Sequence, residues 1–526
     1  MAPYSSPTVN SQALGKFFDD VARVLGEDNV SRTPSHGALE GTQGRKSYGD
    51  PFSTSETHAP SGAIRPSTVE EVQEVVKLAN KHKVCLWTVS RGKNLGYSIV
   101  EVSEEYGYAI VEPGVSFFDL YEEIQRRGLN LWPSVPAIAW GSVLGNTMDR
   151  GFGYTPNGEH SQSQCGMEVV LPNGELLRTG MGAMKDNKTF ALYKGYLNVI
   201  LPQTTQSLTK SGVVTKIGMH IAPAPEAYAT LEVSVPKEAD LIPLTGILSD
   251  LMRRSIILNS PSIANIFRIA LTSNVPEVHA KLAQYMKPNS YVPYDVLEQI
   301  RAEHNWGFWR AHFSLYGSVE MLPALIQTVQ RAFSTIPGVK IEWREFPGSP
   351  GRAITTAEIK EEQIPHSGIP TLAPLGIVDS RSEKGGAHVD FSPIIPPSGR
   401  ELYEWYLTAK QRTIDAKFDF FADFHVYPRY VVGIELVIYT LREEARVLEL
   451  CGNLLHDGAE QGYMEYRTHV RYMDQIAAKL NFNDFAFNKF TRRLKDVLDP
   501  NGVLSPGKSG IWNGFGQSKD VLQHKL

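Results

Sequence analysis

Apolar residues recur first at helical spacing. Leu14, Phe17, Phe18, Val21, Val24 and Leu25 form one stripe and predict an amphipathic helix over Ala13 to Leu25. A polar, turn-rich stretch follows from Ser31 to Ser61. From Pro66 the pattern alternates between helix and strand. Ser67 is the expected cap of a helix from Val69 to His82, with Glu70 and Glu71 in its first turn, and an apolar run from Val84 to Val89 reads as a strand. Tyr106 to Val115 reads as a strand ending in a Pro-Gly turn, and Phe117 to Arg127 as a helix. Met167 to Leu171 and Glu175 to Thr179 flank Pro172-Asn173-Gly174, the signature of a hairpin, and Val213 to Ile221 is a further strand. After Pro223-Ala224-Pro225 longer helices take over: Leu241 to Met252, Pro276 to Met286, Asp295 to His304, Leu322 to Ile336 and Arg400 to Ala416. They alternate with strands such as Trp309 to Tyr316 and Val431 to Tyr439. A last helix pair follows Tyr466. The stretch after Pro225 reads as a second unit, of α+β type.

Length and composition narrow this picture. At 526 residues the chain exceeds one ordinary core. Its 52 Lys and Arg against 57 Asp and Glu leave a net charge of -5, so no basic footprint suggests nucleic acid or an anionic membrane. Cys85, Cys165 and Cys451 are too few and too scattered for a disulfide framework or a zinc site, and no metal is expected. The N-terminus lacks an apolar core and no run reaches membrane-spanning length, so a cytoplasmic protein is expected. The terminal His524-Lys525-Leu526 matches a peroxisomal address at two of three places, which leaves a peroxisomal location open.

Two loops carry candidate chemistry. Gly141 to His160 holds five glycines among few apolar anchors, the composition of a backbone that lies close against a ligand. Upstream, Ser90-Arg91-Gly92-Lys93-Asn94-Leu95-Gly96-Tyr97 offers bare amides and positive charge suited to a pyrophosphate. Together they suggest a dinucleotide cofactor. Gly502 to Ser509 fits the phosphate-loop pattern G-x-x-x-x-G-K-[ST], but Pro506 lies inside it and Gly510 and Gly514 follow where a long helix must run. That reading is rejected, because the motif needs a strand before it and a helix after it.

The stretch Gly141 to His160, with Gly166 to Leu171, Arg178 to Gly182, Val111 to Val115, Tyr466-Arg467-Thr468-His469 and Asp499 to Gly510, resembles the vanillyl-alcohol oxidase and 4-cresol dehydrogenase family of flavoproteins along nearly the whole chain. The resemblance implies a two-domain flavoprotein with an FAD-binding domain of the vanillyl-alcohol oxidase type and an α+β cap domain. Residues 1–224 and 466–526 would form the FAD domain and 225–465 the cap. The implied reaction is hydride transfer from the benzylic carbon of a para-substituted phenol to flavin N5, with dioxygen returning the flavin to its oxidised state. Tyr97, Tyr466 and Arg467 match the residues that bind the phenolate, an anion that makes the para carbon a better hydride donor. Arg91, Gly92, Lys93, Asn94, Gly96, Pro113, Gly141, Ser142, Gly145, Asn146, Gly151, Gly153, Tyr154, Glu159 and Lys508 are the expected cofactor-binding residues. A homo-oligomer is in keeping with the family.

The chain departs from the family at four places. Ala137 stands where an oxidase would carry an acting Asp, and a methyl group is no base. Gly433 and Asp379 fall where a His or Tyr would tether the flavin, so FAD is expected to be non-covalent; His388 and His425, nearby, read as hydrogen-bonded core residues. The interval from Tyr97 to Glu112 is short, and Ile99 to Gly107 reads as a mere bridge. Leu201 to Ser211 fits the family poorly. These departures leave open a dehydrogenase with another acceptor or alcohol substrate, and a catalytically silent relative.

Overall fold

The apolar stripes build the elements that they predict. The computed structural model describes residues 10–32, 61–90, 98–194, 212–359, 364–378, 380–381 and 387–513. The first helix, Ser11–Leu25, buries Phe17, Phe18, Val21, Ala22 and Leu25. It shares a core with Val72, Val75, Val76 and Ala79 of the helix Val69–His82. That second helix starts on Thr68 and not on Ser67. Thr68 Oγ1 accepts from the Glu71 amide at 3.2 Å while the Glu71 carboxylate accepts from the Thr68 amide, a reciprocal pair that only the residue three places before Glu71 can make.

Five strands of the N-terminal region run in the order Ile99–Ser103, Tyr108–Val111, Val213–His220, Gln164–Val170 and Leu176–Arg178, all antiparallel. Two expectations change here. Ile99–Ser103 is a strand in register with Tyr108–Val111, so the short interval supplies a sheet edge rather than a bare bridge. Val84 to Val89 forms no strand. Leu86 alone makes a parallel bridge, to Leu504, with Leu86 N donating to the Val503 carbonyl at 2.7 Å and Ser505 N donating to the Leu86 carbonyl at 2.8 Å.

That bridge brings the C-terminal segment into the N-terminal core, where Val503 and Leu504 are buried. The segment is ordered from within. The Asp499 carboxylate accepts from the amides of Val503 and Leu504 at 2.9 Å and from Lys495 Nζ at 2.8 Å. Among the described residues the phosphate-loop-like sequence leads into a three-residue turn, Lys508–Gly510, in keeping with Pro506 and the surrounding glycines.

A second, nine-stranded sheet draws every strand from between Ala227 and Glu465. Its central order is Lys340–Phe346, Ala227–Val235, Trp309–Gly317, Ser262–Asn265, Phe421–Val426 and Val431–Tyr439. Register decides its two faces, since opposed residues share a side. Ala311, Ile263 and Phe424 lie in one row across three strands, and with Phe313, Leu315, Leu231 and Val233 they pack on the helices Leu241–Arg253, Leu322–Phe333 and Gly399–Asp415. The other face carries Glu232, His312, Ser262 and His425 in one row, and Arg310, Ala264 and Asp423 in the next. One side of the sheet is a hydrocarbon core. The other is polar and nevertheless largely covered.

Candidate active site

What covers the polar face is the glycine-rich stretch. Ser142 caps the short helix Val143–Met148, accepting from Gly145 N at 3.0 Å and donating to the carbonyl of the buried Pro113 at 2.6 Å. The chain then turns through Arg150 and lays Phe152 and Tyr154 on the large sheet. The Phe152 ring centroid is 4.6 Å from His425, and Tyr154 stacks on His366 at 5.6 Å. The Tyr154 carbonyl accepts from Asn259 Nδ2 at 3.0 Å and from the Tyr316 hydroxyl at 3.3 Å. Glu159 accepts from the Tyr430 hydroxyl and lies 3.8 Å from Arg429.

Several glycines here answer to the protein's own side chains. A Cβ on Gly145 would stand 2.2 Å from Ser90 Oγ, one on Gly151 2.1 Å from Asn146 Oδ1, and one on Gly153 2.2 Å from Ser134 Oγ and 2.8 Å from His160 Nε2. His160 Nδ1 in turn bonds Asn146 Oδ1 at 2.6 Å, and burial holds this imidazole neutral with its pKa down to about 4. At Gly145, Gly151 and Gly153 the protein's own side chains already lie where a Cβ would stand. Gly141 is different: it is exposed and a Cβ there would meet nothing within 4 Å, so its backbone is open to a ligand. Lys508 Nζ lies 3.7 Å from Asp149 at the same loop.

Tyr466 follows the short strand Met464–Glu465 and hydrogen-bonds through its amide to the Ser392 carbonyl at 3.2 Å. Its ring is 6.4 Å from Phe152, and the Arg467 guanidinium carbon lies 5.2 Å from the Tyr466 ring centroid. The Tyr466 hydroxyl is a buried atom that hydrogen-bonds no described residue. Burial raises its pKa to about 12 although Arg467 works the other way, so at neutral pH it is a proton donor. Arg91, Gly92, Lys93, Asn94, Gly96 and Tyr97 lie outside the described residues, as do Asp379, Leu201 to Ser211 and His524 to Leu526.

The polar face adds residues that the sequence did not single out. Arg268 Nη1 meets Asp423 Oδ1 at 2.8 Å, and Asp423 Oδ2 meets His425 Nε2 at 3.2 Å. Burial penalises the Asp423 anion, but Arg268 and His425 outweigh it and leave its pKa below the ordinary carboxylate value. His312 and His366 stand with ring centroids 4.7 Å apart, and burial holds both neutral, His312 with its pKa down to about 3. A signal was present in the sequence: Ala311-His312-Phe313 and Phe424-His425-Val426 place a histidine at alternate positions of apolar strands. His425 is a buried residue held by Asp423, as expected of a core histidine, yet its Nδ1 has no hydrogen-bond partner among the described residues.

Unpaired polar atoms on Tyr466 and His425, both against Phe152, are what a site lined for a polar ring leaves behind. With the open backbone at Gly141 they fit a bound flavin and its substrate. Among the described residues no group of His, Cys, Asp or Glu is arranged to hold a metal, and no helix is long and apolar enough to cross a membrane.

Comparison with known proteins agrees with this geometry. Residues 96–180 match the FAD binding domain family. The chain is 34% identical to the 4-cresol dehydrogenase [hydroxylating] flavoprotein subunit of Pseudomonas putida, over 86% of this chain and 88% of that protein. It is similar in structure to 4-ethylphenol oxidase from Gulosibacter chungangensis, solved with isoeugenol, with a TM-score of 0.82, 27% identity and coverage of 97% and 99%. It is also similar to p-cresol methylhydroxylase solved with substrate bound, with a TM-score of 0.81, 30% identity and coverage of 96% and 98%. The chain belongs to the vanillyl-alcohol oxidase and 4-cresol dehydrogenase family of FAD-dependent oxidoreductases.

Proposed function

We propose that this enzyme oxidises para-substituted phenols at the benzylic carbon, with 4-alkyl or 4-hydroxymethyl phenols as the substrate class and dioxygen as the terminal acceptor. The observation that carries this reading is the pairing of a buried, protonated Tyr466 hydroxyl with the Arg467 guanidinium beside Phe152. The hydroxyl donates to the substrate's ring oxygen, and the guanidinium balances the phenolate charge. Tyr97 is the third member of this set. Phe152 and Tyr154 wall the ring. Bound FAD supplies the hydride acceptor. Residues 1–224 and 466–526 hold it, with 225–465 as the cap, a division supported by the confinement of the large sheet to Ala227–Glu465. Arg91, Gly92, Lys93, Asn94, Gly96, Pro113, Gly141, Ser142, Gly145, Asn146, Gly151, Gly153, Tyr154, Glu159 and Lys508 are the holding residues.

FAD is held without a covalent bond. Gly433, at the place of a tethering histidine, has no side chain to form the bond, and a Cβ there would sit tightly, 3.2 Å from Pro393 and 3.3 Å from Glu435. The visible spectrum before and after acid precipitation tests this, with flavin expected wholly in the supernatant. Anaerobic mixing with 4-alkylphenols tests the reaction: bleaching of the flavin bands is expected with para isomers and not with meta isomers. Admission of oxygen should restore the bands. A second reading, in which a protein or quinone takes the electrons, is favoured by the similarity to a dehydrogenase flavoprotein subunit; bands that stay bleached in oxygen would select it.

A further inference from the structure

Oxidation at a benzylic carbon leaves an electrophilic quinone methide, and its fate needs a base. Ala137 offers none. The polar face of the large sheet does. His425 Nε2 faces Asp423 Oδ2 at 3.2 Å, and Asp423 is anchored by Arg268 at 2.8 Å. A carboxylate can only accept, so Nε2 carries the proton; in the neutral ring it is then Nδ1 that carries the lone pair. That Nδ1 is buried and has no hydrogen-bond partner among the described residues, on a side chain 1% exposed. Phe152 contacts the His425 ring at 4.6 Å and the Tyr466 ring at 6.4 Å, which places the lone pair and the phenol-binding hydroxyl in one neighbourhood. A phenol held by its oxygen at Tyr466 and Arg467 presents its para carbon away from them, toward the other side of that aromatic contact.

We propose that His425 is the base that directs water onto the oxidised side chain, with Asp423 and Arg268 as positioning residues. The inference rests on the phenol-oxidising reading above. As the water oxygen bonds to the exocyclic carbon, the exocyclic double-bond pair moves into the ring and restores an aromatic phenolate. One water proton passes to His425 Nδ1, and nothing is oxidised or reduced in this step. The imidazolium is held by the Asp423 carboxylate until it loses its proton to solvent. The phenolate oxygen stays with Tyr466 and Arg467 throughout. The product is therefore the 4-hydroxybenzylic alcohol, formed on one face of the carbon.

The test uses the full FAD-loaded chain and 4-ethylphenol in anaerobic single turnovers, with the products separated on a chiral column. The wild-type protein should release mainly 1-(4-hydroxyphenyl)ethanol, enriched in one enantiomer. In His425→Gln the ratio of this alcohol to 4-vinylphenol should fall about 100-fold, the scale of a lost general base, and the enantiomeric excess should vanish. Both readouts are ratios within turned-over protein, so a smaller folded fraction does not mimic them. Asp423→Asn should lower the same ratio by a smaller factor. Equilibrium binding to the anaerobic protein with its flavin already reduced, which oxidises neither ligand, gives an independent arm: wild-type protein should prefer 4-hydroxybenzyl alcohol to 4-cresol about tenfold, and His425→Gln should lose that preference. A His425→Gln protein with the wild-type product ratio and enantiomeric excess would overturn the assignment, as would a wild-type protein that releases only 4-vinylphenol. Flavin that no 4-alkylphenol bleaches would instead overturn the phenol-oxidising reading itself.

Discussion

Phe424 and His425 are neighbours in the chain and point to opposite faces of one sheet. The face that Phe424 belongs to is a hydrocarbon layer under three helices, with Ala311, Phe313 and Leu315 at or near zero exposure. The face of His425 is covered as well, but by a loop from the other end of the chain, and its side chains are ions, imidazoles and hydroxyls. Burial explains the first face, since each apolar side chain contributes about 1.5–3 kcal/mol by leaving water. Burial alone does not explain the second. Polar groups there cost free energy unless they are paired, and several, among them the Tyr466 hydroxyl, His425 Nδ1 and His312 Nδ1, have no hydrogen-bond partner among the described residues. One sheet thus separates what holds the protein together from what it does.

That contrast can be broken by substitution on either side. The largest expected effect is at the phenol-binding pair. Tyr466→Phe combined with Arg467→Ala should lower kcat/KM for a 4-alkylphenol about 10³-fold, roughly 4 kcal/mol of lost transition-state stabilisation, with little change in Tm. An equal loss with an unfolded protein would mean that the pair belongs to the scaffold. Phe424→Ala should do the opposite, costing about 3–5 kcal/mol in urea unfolding and leaving KM nearly unchanged. His425→Gln, one residue on, should alter stability by less than about 1 kcal/mol.

Gly153→Ala tests the join between loop and sheet. The new methyl would meet Ser134, His160 and the Val135 carbonyl at 2.2–2.8 Å, and two of these atoms cannot swing away. Overpacking of this kind costs about 1–3 kcal/mol, and it should appear as weaker FAD retention in equilibrium dialysis. Unchanged retention would separate the loop's packing from cofactor binding.

The smallest effect is a pH slope. Burial raises the Glu435 pKa from 4.5 to about 8, against the Trp405 indole N–H that donates to it. The folded protein therefore keeps a proton that the unfolded chain releases near pH 4.5. This stabilisation is full below that value and is lost as pH rises through about 8, at about 1.4 kcal/mol per unit. Glu435→Gln, with an amide that still accepts from Trp405, should flatten the dependence of Tm on pH between 6 and 8. A slope equal to the wild type would place the proton elsewhere, with Glu465, also raised to about 8 by burial, as the next candidate.

Much of this was legible in the sequence. The helices Val69–His82 and Phe117–Arg127 and the strand Val431–Tyr439 end where periodicity and caps place them. Local rules suffice there, because each segment's own side chains decide its period. The strand expected at Val84 to Val89 failed because its only described ladder partner, Leu504, lies 418 residues away and contributes a single bridge. Ile99–Ser103 was missed as a strand for the converse reason: Val100 and Glu101 are both exposed on an edge, so alternation is weak. At the site, Tyr466, Arg467 and the glycine stretch were legible as motifs. The Arg268–Asp423–His425 line was not, because it joins a helix and a strand far apart in sequence, and only their packing makes a histidine between apolar neighbours more than a core residue.

The central claim is that a para-substituted phenol gives up a benzylic hydride in the space between the polar sheet face and the glycine-rich loop. Stopped-flow reduction of the FAD-loaded protein by 4-ethylphenol, with and without deuterium at the benzylic carbon, tests it most directly. The account predicts rapid bleaching of the flavin, slowed by a primary isotope effect, and a further loss of rate in Tyr466→Phe. Bleaching without an isotope effect in a fully bound complex, or no bleaching of a fully loaded protein, would contradict it.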